Sequence, residues 1–367
     1  MVYRPKVVKS RLSEAQARAV LHTVKFPSFQ DAGSYSTAPL PPSNLATLSR
    51  LHVHFLFTFP FEALSMNYEP NACMDATIDH IYRRFVEKRT GGGYCLQVNL
   101  LYREMLAFLG FRFIGVLGRV YSRISDDWSG LTHTASLVYL RSHLPEDDGK
   151  KVYYHTDVGF GSSPHRPILL RDKWQEFGRG TDKFRLLKAP VQPGSTLEEA
   201  SDSDSDPDTQ VSTVSKGQMV WILQNLKNGE PDWEDCYSFC ITECFDSDYQ
   251  ASNRATSHST STPFATMILV VRYLIDPELL KESNAKVQVD GLEKDLYPYH
   301  PSCVEQRMVV GDKHIVKLGD EQTVLRTIAS EKERVELLKK DFGLLLHVST
   351  QDAVKEINNK PSALNKV

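Results

Sequence analysis

Apolar side chains recur at helical spacing through the first hundred residues. Ser13 and Gln16 form the sequence pattern of a capping box ahead of an alanine-rich segment, so a helix is expected to begin there. A second apolar face ends before Pro60 and consists of Leu45, Leu48 and Phe55. A third face ends near Gly110, where a left-handed cap is expected, and consists of Val98, Leu101, Tyr102, Met105 and Leu109. Residues 1–110 are therefore predicted to form a helical bundle.

Short runs rich in β-branched and aromatic residues begin at residue 111. Runs of this kind are typical of strands, and they cover residues 111–121, 134–140, 151–155 and 219–223. They predict an antiparallel β-domain over residues 111–255.

A polar, acidic stretch interrupts this β-domain at about residues 194–216. It has too few apolar side chains to offset the entropy of ordering, so a disordered insertion is expected. The alternative to a disordered insertion is a calcium-binding loop. However, Asp202, Asp204 and Asp206 lack the glycine and the distal glutamate of an EF-hand.

The last hundred residues combine strand-like runs with a capped helix. The strand-like runs cover residues 265–274, the surroundings of Val287 and residues 308–316. A final helix is expected to open at Ser330, with Glu333 as its capping partner, and to stop at Gly343. Residues 256–367 are thus predicted to form an α/β domain, and the whole chain an α+β protein.

Composition and charge narrow the function classes. The chain has 43 Lys and Arg against 46 Asp and Glu, a net charge of −3, and no basic stripe, so nucleic acid is not an expected partner. The longest aliphatic run, 267–271, is too short to cross a bilayer, and no apolar segment of a secretory signal is present. We therefore expect no membrane partner and a cytoplasmic location, where six dispersed cysteines remain free thiols.

The clearest chemical signal lies in Arg89–Asn99, where three consecutive glycines precede Cys95. Glycines let the backbone approach closely, and Cys95 then falls in the first turn of the third helix. Unpaired N–H groups and the positive end of the helix dipole stabilise a thiolate at that position. The alternative is a buried cysteine that follows a glycine-rich turn and has no chemical role.

Two downstream segments supply a base and an orienting carboxylate for such a nucleophile. His133 is expected to begin one strand and Asp157 to end the next, with turn signals over residues 141–151 between them. An antiparallel hairpin would bring both side chains to the same end of the sheet. A strand-end histidine and a turn aspartate are the plain alternatives. Together with Cys95, the two residues favour a catalytic role over these alternatives, because the order Cys, His, Asp matches a nucleophilic triad.

The segments around these three residues form a specific combination. It consists of the run Gly-Gly-Tyr-Cys-Leu-Gln-Val-Asn at 92–99, then His133, then Asp-Val-Gly-Phe-Gly at 157–161. In this combination the chain resembles the arylamine N-acetyltransferase family. Three further segments are similar to that family, namely Phe59–Leu64, Trp233–Phe264 and Lys340–Leu344. The family usually has an arginine four residues before the cysteine, where this chain has Gly91.

The resemblance implies a helical bundle, a β-barrel and an α/β lid around a Cys-His-Asp core like that of cysteine proteases. It also implies ping-pong transfer of an acyl group from an acyl-coenzyme A to an arylamine, arylhydrazine or arylhydroxylamine. Cys95 then matches the nucleophile that is acylated as a thioester, His133 its ion-pair partner and base, and Asp157 the residue that orients the imidazole. The residues that match coenzyme-bordering positions are Ser129, Gly130 and Phe160.

Three questions stay open at this level. The donor can be acetyl-, propionyl- or malonyl-coenzyme A. The same order of residues serves a papain-like hydrolase or a transglutaminase, and a catalytically silent member would keep the fold.

No metal is expected, because Cys236, Cys240 and Cys244 lie evenly spaced on one face of a predicted strand, without a CxxC pair or a matching histidine.

Overall fold

The computed structural model describes residues 4–30, 35–70, 73–191, 219–290, 292 and 297–364. The acidic insertion expected at about residues 194–216, with its calcium-loop alternative, lies outside these described residues. Within them, no helix is both long and apolar enough to span a lipid bilayer.

The N-terminal region is helical, as its apolar spacing predicts. Its elements are α1 (Glu14–Thr23), α2 (Leu45–Thr58), the short strand β1 (Phe61–Glu62), α3 (Ser65–Tyr68), α4 (Ile78–Tyr82), a π-helical turn (Arg83–Glu87) and α5 (Cys95–Phe108). The predicted capping box is present, since the Ser13 side chain accepts from the N–H of Gln16 and the Gln16 side chain accepts from the N–H of Ser13. Gly110 follows α5 with a left-handed φ of 77°.

The middle region forms an antiparallel sheet that is nearly closed into a barrel. Its strands are β2 (Phe113–Ser122), β3 (Asp127–Arg141), β4 (Lys151–Thr156), β5 (Ile168–Leu169), β6 (Trp174–Phe177), β7 (Lys183–Ala189), β8 (Val220–Leu226) and β9 (Glu234–Phe239). They pair in the order β5-β4-β3-β2-β9-β8-β7-β6, and the edge strands β5 and β6 contact each other. This arrangement confirms the predicted antiparallel β-region and leaves little free sheet edge.

The C-terminal region combines an antiparallel sheet with helices. Its elements are α6 (Asp246–Ser257), α7 (Pro263–Thr266), β10 (Leu269–Ile275), α8 (Pro277–Val289), β11 (Val304–Val310), β12 (Lys313–Leu318), β13 (Glu321–Thr327), α9 (Glu331–Phe342) and α10 (Thr350–Ile357). The sheet order β1-β10-β11-β12-β13 takes one edge strand from the N-terminal region. Helix α9 begins and ends as predicted, because Ser330 accepts from the N–H of Glu333 and Gly343 adopts a φ of 67°.

Two expectations for this region are wrong. The strand expected near Val287 is part of helix α8, because Asp276 caps that helix through two backbone N–H groups and Pro277 occupies its first turn. The run 308–316 is not one strand. Gly311, with a φ of 61°, turns the chain between β11 and β12.

A hydrophobic core joins α5 to the barrel. Its fully buried side chains include Leu101, Met105, Val138 and Tyr154. Because Cys95 is the first residue of α5, this packing sets the position of the cysteine relative to β3 and β4. The division into domains at residues 110 and 255 stays a prediction, and the second of these boundaries falls within α6.

Candidate active site

The loop before α5 packs so closely on β1 that it requires glycine. The N–H of Gly93 donates to the carbonyl oxygen of Pro60, and the N–H of Glu62 donates to that of Gly93, both at 3.2 Å. A Cβ on Gly92 would lie 1.9 Å from the Pro60 carbonyl oxygen, so a larger residue does not fit. The glycines therefore hold β1 against the start of α5.

Cys95 occupies the first position of α5, as predicted. The residue is 5% exposed, and the preceding Tyr94 provides no side-chain cap that would compete for the free N–H groups of the helix. The Sγ atom lies 3.6 Å from the carbonyl oxygen of Thr132 on β3. The thiol is thus placed beside the strand that carries His133.

His133 and Asp157 form a buried pair. The Nε2 atom of His133 lies 2.8 Å from Oδ2 of Asp157, and the two side chains are 2% and 0% exposed. Strands β3 and β4 pair with Ser136 opposite Thr156, which confirms the predicted hairpin. His133 lies within β3 rather than at its start. Next to His133, the pairing of β3 with β2 shifts by one residue. Irregularities of this kind re-aim side chains near active sites.

Asp157 accepts four hydrogen bonds. Its Oδ2 accepts from the Tyr237 hydroxyl at 2.8 Å in addition to its bond with His133. Its Oδ1 accepts from Nδ2 of Asn99 and from the N–H of Gly159, both at 2.9 Å. With these donors in place the carboxylate is held in one orientation, and it fixes the imidazole ring in turn.

The pair of His133 and Asp157 is ionised at neutral pH. Burial by itself lowers the pKa of His133, but the charges of Asp157 and Cys95 outweigh it and raise this pKa to about 10. Burial by itself raises the pKa of Asp157, but the charge of His133 and hydrogen bonding hold this pKa well below its usual range. The pair thus presents a positively charged imidazolium to the thiol of Cys95.

Sequence reasoning missed Asn99 and Tyr237. Asn99 carried a usable signal, because it lies four residues after Cys95 and therefore on the same face of α5. Tyr237 belongs to β9 and reaches Asp157 only because the sheet places β9 beside β2. The Tyr237 hydroxyl also contacts Nε2 of His155 at 2.7 Å.

Of the three residues expected to border a coenzyme, Phe160 is brought directly to the triad. Its ring lies 5.2 Å from that of His133, edge to face. Ser129 and Gly130 precede His133 on β3, and Gly130 is exposed. The Ser129 hydroxyl accepts from the N–H of Val120 at 2.8 Å. These two residues therefore lie on an accessible part of the strand that carries His133.

The three evenly spaced cysteines do not share a strand face, and that expectation is wrong. The chain leaves the sheet after Phe239, so Cys236 is buried in β9 whereas Cys240 is exposed beyond it. Across the part of the chain that the structure describes, no group of three or more His, Cys, Asp or Glu side chains is arranged to hold a metal ion.

Comparisons with known proteins agree with this geometry. The family model described as N-acetyltransferase matches residues 44–284. The N-malonyltransferase FDB2 of Gibberella moniliformis is 21% identical over 92% of this chain and 90% of that protein. The arylamine N-acetyltransferase of Escherichia coli (strain K12) is 26% identical over 66% of this chain and 71% of that protein.

The solved structures show the same fold. The arylamine N-acetyltransferase of Mycobacterium marinum in complex with CoA aligns with a TM-score of 0.62 and 18% identity, covering 92% of this chain and 97% of that one. The family match extends from α2 into α8 and includes Cys95, His133 and Asp157. The chain therefore belongs to the arylamine N-acetyltransferase family and is an acyltransferase.

Proposed function

We propose that the protein transfers an acyl group from an acyl-coenzyme A to an aromatic amine, hydrazine or hydroxylamine through a thioester on Cys95. The observation that carries the proposal is the hydrogen-bonded pair of His133 and Asp157 beside the thiol that begins α5. The E. coli relative is named for an arylamine, and the M. marinum structure holds CoA. Both support the classes of acceptor and donor.

In the first half-reaction, the Cys95 thiolate attacks the thioester carbonyl of the donor. A bond forms between Sγ and the acyl carbon, and the bond from that carbon to the coenzyme sulfur breaks. His133 begins as an imidazolium and gives its proton to the departing thiolate. Asp157 keeps the ring oriented through its bond to Nε2.

In the second half-reaction, the neutral imidazole of His133 accepts a proton from the attacking amine. The amine nitrogen bonds to the acyl carbon, and the bond from that carbon to Sγ of Cys95 breaks. The departing sulfur leaves as a thiolate beside the new imidazolium. The ion pair is thereby restored for the next donor.

The surroundings of Cys95 favour transfer over hydrolysis. The cysteine lies in an apolar cluster with Phe61, Tyr94 and Leu117. An apolar site limits the access of water to a thioester, whereas a papain-like hydrolase or a transglutaminase acting as a hydrolase needs that water. The ionised His133 pair also argues against a catalytically silent protein, because it provides the proton transfers that both half-reactions need.

We place the coenzyme along the part of β3 that leads to His133. Phe160 borders the imidazole, so its ring is suited to pack against the arm of the donor next to the thioester. Ser129 and Gly130 lie further along the strand, and open space surrounds the Cβ position of Gly130. A backbone without a side chain lets an extended ligand approach closely.

The first test is amine-dependent release of coenzyme A. With acetyl-coenzyme A and an aminophenol, we expect free coenzyme A to accumulate only when the amine is present. Separate exposure to acetyl-, propionyl- and malonyl-coenzyme A should add one acyl mass to the peptide that contains Cys95, and this mass names the donor. The malonyl donor is included because the relative from Gibberella is named an N-malonyltransferase.

The outcomes of this test separate the classes of function. Continuous release of coenzyme A without the amine would identify a hydrolase. No acyl mass on Cys95 with any of the three donors would contradict the proposal.

We also propose a cytoplasmic location. All six cysteines are free thiols. A reducing compartment keeps thiols in this state, and the proposed chemistry requires a free thiol at Cys95.

Replacing Tyr237 with phenylalanine should slow the acylation of Cys95 by about tenfold. The change removes one hydrogen bond to a carboxylate, worth about 1.5 kcal/mol, while His133 and Asn99 still hold Asp157. Single-turnover mixing with acyl-coenzyme A measures the rate. Tyr153→Phe removes the hydroxyl of a partly buried tyrosine of β4 outside the triad and serves as the control. Equal rates in the two variants would show that the Tyr237 hydroxyl has no part in orienting Asp157.

A further inference from the structure

A buried arginine of the π-helical turn reaches the glycine loop that precedes Cys95. Arg84 belongs to the turn Arg83–Glu87, and only 8% of its side chain is exposed. Turns of this type contain one more residue than an α-helical turn and recur at functional sites. The chain then bends back, so that the N–H of Thr90 donates to the carbonyl oxygen of Arg84 at 3.1 Å. The arginine and the glycine loop are thus neighbours.

The guanidinium of Arg84 joins three segments. It donates from Nη2 to Glu62 at 3.0 Å, from Nη1 to Glu69 at 3.0 Å, and from Nε to the carbonyl oxygen of Gly92 at 3.4 Å. Glu62 is fully buried, and its other oxygen accepts from the N–H of Leu64 at 2.6 Å. Burial alone would lower the pKa of Arg84, but the two carboxylates raise it, so the group stays charged.

The guanidinium fills the space beside Gly91. A Cβ at this glycine would lie 2.7 Å from Nη2 of Arg84 and 3.0 Å from Oε1 of Glu62. The backbone of Gly91 is not in the left-handed region, so the neighbouring side chains, and not backbone conformation, exclude a larger residue. The guanidinium of Arg84 therefore occupies the space that a side chain at position 91 would need.

We propose that Arg84 is a positioning residue for the acylation of Cys95. Its bonds to Glu62 and to Gly92 hold the glycine loop on β1, and this loop sets where α5 begins. The thiol must meet His133 across the gap between α5 and β3, and a misplacement of about 1 Å costs on the order of 100-fold in rate. This inference rests on the proposed function, because acylation of Cys95 is the step that Arg84 supports.

The first test removes the guanidinium. Arg84→Met should lower the rate of Cys95 acylation by on the order of 10- to 100-fold, leave the KM for the amine little changed, and displace the pH profile of Cys95 alkylation to higher pH. A residue that served only the stability of the fold would leave that profile unmoved in folded protein. Arg83→Met removes the exposed neighbouring arginine and is the matched control, expected to behave like the unaltered chain.

The second test moves the guanidinium to the loop. Gly91→Arg alone forces a side chain and a second cation against Arg84, and it should lower acylation. Arg84→Ala alone should be slow, like Arg84→Met. In the double variant of Gly91→Arg with Arg84→Ala, the new arginine at position 91 faces an emptied space beside Glu62, and most of the lost rate should return. A change that harms the unaltered chain but rescues the variant is the non-additive behaviour expected of residues that share one role.

The outcomes separate the inference from the proposed function. If the unaltered chain is not acylated at Cys95, the proposed function fails before any variant is compared. If it is acylated, an Arg84→Met protein with an unchanged rate and pH profile overturns the inference. A double variant no faster than its slower parent also overturns it. Should Arg84→Met not fold, the double variant decides. A double variant that does not fold counts against the inference, since the guanidinium would then be needed for packing at its own position.

Discussion

Substitution of Cys95 with alanine is expected to abolish acyl transfer while the protein stays folded. Sγ is the atom that bonds the acyl carbon, and alanine offers no nucleophile in its place. Alanine suits the start of a helix, and the loss of one buried sulfur should lower the free energy of unfolding by only about 1 kcal/mol. The variant should therefore lose all acyl transfer but only a small part of its free energy of unfolding.

Intact mass after exposure to acyl-coenzyme A measures the first effect, and thermal unfolding measures the second. The Cys95→Ala protein should gain no acyl mass and should release no coenzyme A in the presence of the amine. Cys240→Ala is the matched control, because Cys240 is exposed beyond β9 and lies outside the triad. A folded Cys95→Ala protein that still turns over would assign the nucleophile to another residue.

The features that depend on neighbouring residues could be predicted from the sequence. The helix cap at Ser13 involves Gln16, three positions away, and the cap of α9 at Ser330 involves Glu333 at the same separation. The position of Cys95 at a helix start was predictable for the same reason, because the glycines and the apolar stripe of α5 lie on either side of it. The pairing that brings His133 to Asp157 was also predictable, because the two strands are consecutive in the sequence and are joined by a turn.

The features that depend on distant pairing could not be predicted in this way. Phe61 follows a helix and becomes a strand residue only because β1 pairs with β10, opposite Val271. Arg84 lies 22 residues after Glu62, so their ion pair depends on how the fold places the π-helical turn beside β1. The alternation around Val287 resembles a strand, but it lies in a helix whose cap is eleven residues earlier, at Asp276.

Removal of the imidazole by His133→Ala is expected to displace the pH profile of Cys95 alkylation upward by about one unit or more, which corresponds to about 1.4 kcal/mol or more. In the unaltered chain, limiting iodoacetamide near pH 6 should label Cys95 first, as the proposed pairing of its sulfur with the His133 imidazolium requires. Burial raises the pKa of Cys236 to about 12 and also raises those of Cys244 and Cys303. Peptide mapping after labelling measures the order.

The same variant should also change how stability depends on pH. The pKa of His133 is raised from 6.5 to about 10, so its stabilising effect is fully present below about pH 6.5 and is lost as the pH rises towards 10. Denaturant unfolding should therefore show the largest deficit of His133→Ala at or below pH 6.5. His54→Gln is the control, and its effect on stability should depend on pH in the opposite direction. Burial lowers the pKa of His54, so its contribution is lost as the pH falls, and labelling of Cys95 should be unaffected. If both variants showed the same pH trend, or if His133→Ala left the alkylation profile unmoved, the assignment of His133 as the imidazolium partner of Cys95 would be wrong.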